Sequence, residues 1–187
     1  MGTASLSGKD WWRANQAKYP NSREIDDLEP GFRAKVEAFV ASLRHAGATI
    51  TVSSTLRNAT RAHLMHYSWR IAYERLDPKD VPKRSDLVIE WDHGDLEKSR
   101  QAALDMVKLF NLAYRPSLSS NHIRGKAIDM NISWKGTLEL TQPAPLLARI
   151  EGRPRTEQNR ELHQIGASVF GVRKLISDPP HWSFNGR

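Results

Sequence analysis

Two short segments carry the residue types of a metal site. Ser119 to Asp129 reads SSNHIRGKAID, and Ser177 to Trp182, about fifty residues later, reads SDPPHW. A zinc ion that performs chemistry takes three protein ligands from His, Asp, Glu or Cys and leaves a fourth position for water. His122, Asp129 and His181 supply that set for one catalytic ion, and Asp178 remains as a base. Two histidines and a carboxylate also suit several other divalent ions.

The spacing differs from two histidines meeting on one helix face. Seven positions separate His122 from Asp129, which predicts a loop ligand followed by a strand ligand. Over Ala127 to Ile132 the pattern alternates: Ile128, Met130 and Ile132 share one face, and Ala127, Asp129 and Asn131 share the other. Asp129 therefore belongs to the polar face while its neighbours enter the core. Gly125, between the two ligands, permits backbone angles or a close approach that a larger residue resists.

Ser120, His122, Gly125, Ala127 and Asp129 form S-x-H-x-x-G-x-A-x-D, and an acid stands three residues before a histidine at Asp178 and His181. This combination resembles the zinc D-alanyl-D-alanine carboxypeptidase and phage endolysin peptidase family. Asp178 is similar to the branch whose catalytic acid is Asp, although Trp182 follows the ligand histidine where other members place Trp before it. Ser54, Thr55, Leu56 and Arg57 resemble a further family element, S-x-x-R, while the glutamine that often follows is absent from Asn58 to Arg61. The resemblance spans roughly residues 48 to 184. It implies hydrolysis of peptide bonds in bacterial peptidoglycan, with the endolysin type favoured over a D-alanine carboxypeptidase. A carboxypeptidase needs a cation for the substrate carboxylate, a role open to Arg61, Arg124 or Lys126. A zinc-containing module that binds cell wall without cutting it is the reading from another class.

The chemistry assigns roles to these residues. Zinc acidifies water to a pKa of about 7 and polarises a carbonyl. Asp178 is the proton carrier, and Arg57, with its fixed charge, faces the developing oxyanion. Ser120 binds substrate or steadies the ligand loop. Each has a plainer competitor; Asp-Pro-Pro, for example, is a turn signal in its own right. His63 and His66 stand three apart on an expected helix with no acid to complete a ligand set, and His93 falls in an acidic loop, EWDHGD. Trp11 and Trp12 can stack on sugar rings, but the apolar area each buries favours docking of an N-terminal segment.

The chain has 187 residues, enough to bury roughly 70% of its unfolded surface as one domain. A net charge of +7 attracts anionic polymers, cell wall among them. The basic residues are scattered, with no finger or aromatic-glycine strand motif, so a nucleic-acid module is not indicated. Zero cysteines exclude thiolate ligation and disulfides. No stretch of about 20 apolar residues is present to span a membrane, and the first residues lack the apolar core of a secretory signal. Action on a cell wall then calls for phage-type release or specialised secretion, or for a signal that has been cleaved or truncated.

These motifs need a scaffold. The pattern predicts helices over 30–46, 59–76, 97–113 and 156–170, the last capped by Thr156, and strands over 48–54, 127–132, 172–176 and 181–184. The connection holding Pro143 and Pro145 is unassigned. The expected architecture is a single α+β domain, a small antiparallel sheet flanked by helices with the zinc site at the sheet cleft. Residues 1–29 form an N-terminal arm and 30–187 the peptidase domain.

Overall fold

The structure, a computed structural model, describes residues 5–141, 143 and 148–187; Pro145 lies outside them. The described elements run α1 (Lys9–Asn15), α2 (Pro30–His45), β1 (Thr49–Ser54), α3 (Ala59–Tyr73), α4 (Leu96–Phe110), β2 (Ala127–Ser133), β3 (Leu138–Leu140), β4 (Ala148–Ile150), α5 (Arg160–Ile165), β5 (Arg173–Lys174) and β6 (His181–Ser183). This is the mixed α+β class that the sequence predicts. No described helix is long and apolar enough to cross a membrane. The chain divides into two compact units, Met1–Pro20 with Asn58–Ser120 and Asn21–Arg57 with Asn121–Arg187.

The first unit is built on helices α1, α3 and α4. Trp11 and Trp12 of α1 are buried with Leu64, Met65, Ile71 and Met106, and the Trp12 ring lies 4.5 Å from that of Phe110. Arg61 sits over the Trp12 ring at 4.8 Å, a cation–π contact within the usual reach. Two helices stop three residues earlier than their hydrophobic patterns suggest. Arg75 and Asn111 take left-handed backbone angles, φ 57° and 54°. Each ends its helix, and Leu76 and Leu112 donate back to the carbonyls of Arg70 and Val107.

The second unit is organised by a four-stranded antiparallel sheet in the order β1-β2-β6-β5. Helix α2 starts where Glu29 accepts from the Phe32 N–H at 3.1 Å and Pro30 occupies the first turn. Its stripe of Phe32, Val36, Phe39 and Leu43 is buried with Ile128, Met130, Ile132 and Trp182. Phe39 packs on Phe170 and Trp182, with ring centroids 5.1 and 5.4 Å apart. Strands β3 and β4 form a separate two-stranded ladder that the sequence pattern does not reveal.

The helix expected from Thr156 starts later. Thr156 bridges Ser133, and Asn159 is the cap, accepting from the Leu162 N–H at 3.0 Å. The last turn widens into a π-helix over Gly166–Phe170.

Candidate metal centre

Strand register brings two of the three ligand candidates together. In the β2–β6 ladder Asp129 stands directly opposite His181 and Ile128 opposite Trp182. Directly opposed residues in an antiparallel pair project to the same face. Period-two alternation thus sends Ile128, Met130 and Trp182 into the core and leaves Asp129 and His181 side by side on the other face. A bulge in β1, where the register shifts between Val52 and Ser54, lies beside Asp129; the Ser53 hydroxyl donates to the Asp129 carbonyl at 3.2 Å.

The third candidate arrives on the one-turn 3₁₀ helix Asn121–Arg124. Gly125 then reverses the chain with φ +64°, and a Cβ there would lie 2.8 Å from the Glu29 nitrogen. Both reasons for a glycine therefore apply. The Glu29 N–H donates to the Gly125 carbonyl at 2.9 Å, tying the ligand loop to the start of α2.

The three ligand atoms converge. Asp129 Oδ1 is 3.1 Å from His122 Nε2 and 3.1 Å from His181 Nδ1, and the two nitrogens are 3.2 Å apart. Zinc–ligand bonds of 2.0–2.2 Å in a tetrahedron place ligand atoms about 3.4 Å apart, so the observed triangle is close to a zinc edge. His122 and His181 are only 2% and 6% exposed. Among the described residues this is the group of His, Asp and Glu side chains able to hold a metal ion.

The far side of each ring fixes its tautomer. His122 Nδ1 lies 2.7 Å from the Thr55 carbonyl, and His181 Nε2 lies 3.2 Å from the main-chain oxygen of Arg187. A carbonyl only accepts, so both of those nitrogens carry hydrogen. In the neutral rings the two inner nitrogens present lone pairs to each other and to a carboxylate oxygen. Such a cluster demands positive charge at its centre, and a cation meets all three groups at once.

Burial opposes the Asp129 charge, but hydrogen bonding with His122 and His181 outweighs it and holds the carboxyl well below the usual carboxylate range.

Arg57 and Asp178 belong to the same unit. The Arg57 N–H donates to the His122 carbonyl at 3.1 Å. Burial lowers the proton affinity of its guanidinium, while Asp129 and Asp178 raise it through space. At this depth the group remains a cation, and its buried Nε has no hydrogen-bond partner. Asp178 is half-buried in the turn before β6, where its carbonyl accepts from the His181 N–H at 3.0 Å. Ser120 is half-buried and falls in the first unit, in the loop that leads to the 3₁₀ turn.

His66 and His93 have partners of their own. His66 Nδ1 meets the Pro116 carbonyl at 2.8 Å, and His93 Nε2 meets the Ser7 hydroxyl at 3.0 Å. The acidic loop folds on itself, with Glu90 and Asp92 accepting from the N–H groups two residues ahead and Asp95 capping α4.

Several supporting residues carry no sequence signal. Asn121 Nδ2 donates to the Arg187 main-chain oxygen at 2.6 Å and to Asn185 Oδ1 at 2.8 Å. The Ser183 hydroxyl donates to the same Arg187 oxygen at 3.0 Å. This network holds the group that fixes the His181 tautomer. Lys174, buried behind the His181 turn, is another. Set beside known proteins, the chain matches no family model, no curated protein and no solved structure.

Proposed function

We propose that this protein is a zinc-dependent peptidase of bacterial peptidoglycan, an endopeptidase of the endolysin type. The observation that carries the proposal is the triangle of His122, Asp129 and His181, whose inner lone pairs are set by main-chain carbonyls on the outer side. Two imidazoles and one carboxylate leave a coordination position open, the arrangement of a catalytic rather than a structural zinc site. When bound, zinc supplies Lewis-acid polarisation of a carbonyl and acidifies water.

The chain's own groups divide the remaining work. Asp178 accepts a proton from the attacking water and delivers it to the leaving amine as the new C–O bond forms and the C–N bond breaks. Arg57 holds positive charge next to the Asp129 and Asp178 carboxylates and offsets the negative charge that develops on the carbonyl oxygen. Peptidoglycan as substrate rests on the S-x-H-x-x-G-x-A-x-D and D-x-x-H motifs. The surplus of basic residues favours an anionic polymer of that kind.

Mass spectrometry of digested sacculi and of soluble stem pentapeptide tests this, with zinc-loaded protein beside Asp178→Ala. New termini inside the peptide, lost in the variant, support the endopeptidase. Release of D-alanine alone from the pentapeptide makes the protein a carboxypeptidase. Tight zinc binding with no product from either substrate makes it a binding module.

A further inference from the structure

The turn that presents both Asp178 and His181 is poor in hydrogen-bond donors. Pro179 and Pro180 have no N–H, so its carbonyls outnumber its main-chain donors. Its main-chain bonds are Asp178 N–H to the Leu175 carbonyl at 3.3 Å, His181 N–H to the Asp178 carbonyl at 3.0 Å, Leu175 N–H to the His181 carbonyl at 3.1 Å and, from β2, Met130 N–H to the Pro180 carbonyl at 2.8 Å.

Lys174 adds a side-chain donor to three of these carbonyls, those of Leu175, Asp178 and His181. It lies on β5 opposite Trp182 and is 9% exposed, where an ammonium is expensive unless each of its three protons is used. Here Nζ donates to the His181 carbonyl at 3.1 Å and, at closer range, to those of Leu175 and Asp178. The Trp182 ring, 5.7 Å from Nζ, closes another side. Burial lowers the proton affinity of Lys174, and the charges of Asp178, Glu157 and Asp129 act against that.

We infer that Lys174 is a positioning residue for the metal centre: one buried ammonium bridges the carbonyls of Leu175, Asp178 and His181 and thereby sets the reach of both the acid and the ligand. The role of Asp178 in this inference rests on the proposed peptidase activity; the role of His181 rests on metal binding alone. A surface lysine pairing with a carboxylate could be replaced by arginine at little cost, but three converging carbonyls match a compact ammonium and not a planar fork.

The absence of cysteine from the chain permits an atom-level test. Lys174→Cys is alkylated in the unfolded state with 2-bromoethylamine, which restores an ammonium of nearly the same reach, or with bromopropane, which fills the space without donors. Each refolded product is loaded with zinc or cobalt. The neutral adduct is expected to bind zinc about 10- to 100-fold more weakly, the range for loss of groups that orient ligands, and to show a shifted cobalt absorption band. The aminoethyl adduct is expected to recover both.

On peptide substrate, kcat should fall at least tenfold in the neutral adduct while KM changes less than twofold. A neutral adduct with parental zinc affinity, cobalt spectrum and kcat overturns the inference and leaves the peptidase intact. Loss and recovery of zinc affinity in a protein that cuts nothing upholds the clamp on His181 and removes the peptidase. Should the neutral adduct fail to fold, Lys174→Met, which has similar reach and no donor, is read by the same measurements with the same two outcomes.

Discussion

Substitution at Gly125 separates two costs that usually arrive together. The residue has φ +64°, and an added Cβ would meet the Glu29 nitrogen at 2.8 Å and the Asp27 carbonyl oxygen at 3.3 Å. Both neighbours are main chain and cannot swing aside. Gly136 has nearly the same angle, φ +68°, with nothing within 4 Å of its Cβ position. An L side chain in this region costs about 1–2 kcal/mol, and forcing atoms into a filled space costs about 1–3 kcal/mol more. Gly136→Ala should therefore lose about 1–2 kcal/mol and Gly125→Ala about 2–5 kcal/mol. Asparagine tolerates left-handed angles, so Gly136→Asn should recover most of the loss while Gly125→Asn, still bearing a Cβ, should not. The assay is urea unfolding of all four variants with chelator present, because metal bound to the native state adds stability of its own. If Gly125→Ala and Gly136→Ala unfold within 0.5 kcal/mol of each other, on the order of the usual error for surface changes, the close approach to Glu29 contributes nothing and the reasoning fails.

Two other predictions address charge. Asp129→Asn keeps the size of the side chain and removes its negative oxygen, so zinc affinity measured by chelator competition should fall by about 100-fold or more, with far-ultraviolet circular dichroism unchanged; an unaltered affinity would mean that Asp129 is not a ligand. His63 is 6% exposed, and burial, aided by Arg84, pushes its imidazole down to about 4. In the unfolded chain it titrates near 6.5, so stability is fully present above that value and is lost as the pH falls towards about 4. Denaturation of metal-free protein at pH 7 and pH 5 should show His63→Phe losing less stability between the two than the parent, and equal losses would refute the depressed titration.

The sequence by itself was enough to place His122, Asp129 and His181 in one chemical set and to put Asp129 on the polar face of β2. Such information is local: residue types at fixed spacing, a period of two, a glycine where the chain must reverse. Helix α2 is legible for the same reason, with its proline start and a single apolar stripe. The hydrophobic pattern carries α3 and α4 three residues too far because Arg75 and Asn111 adopt left-handed angles that their residue types alone do not demand. The pattern points to Thr156 as the cap where the structure uses Asn159, since either side chain can cap and only the bridge from Thr156 to Ser133 decides between them.

The tertiary structure decided what the motifs mean together. Asp129 and His181 are 52 residues apart, and only the β2–β6 register sets them opposite each other. The tautomers are fixed by carbonyls of Thr55 and Arg187, and the His181 turn is held by the ammonium of Lys174. Carbonyl groups are the same in every residue, so no amino-acid letter marks the ones that matter. Their positions follow from the path of the folded backbone, and spacing along the chain does not contain that path.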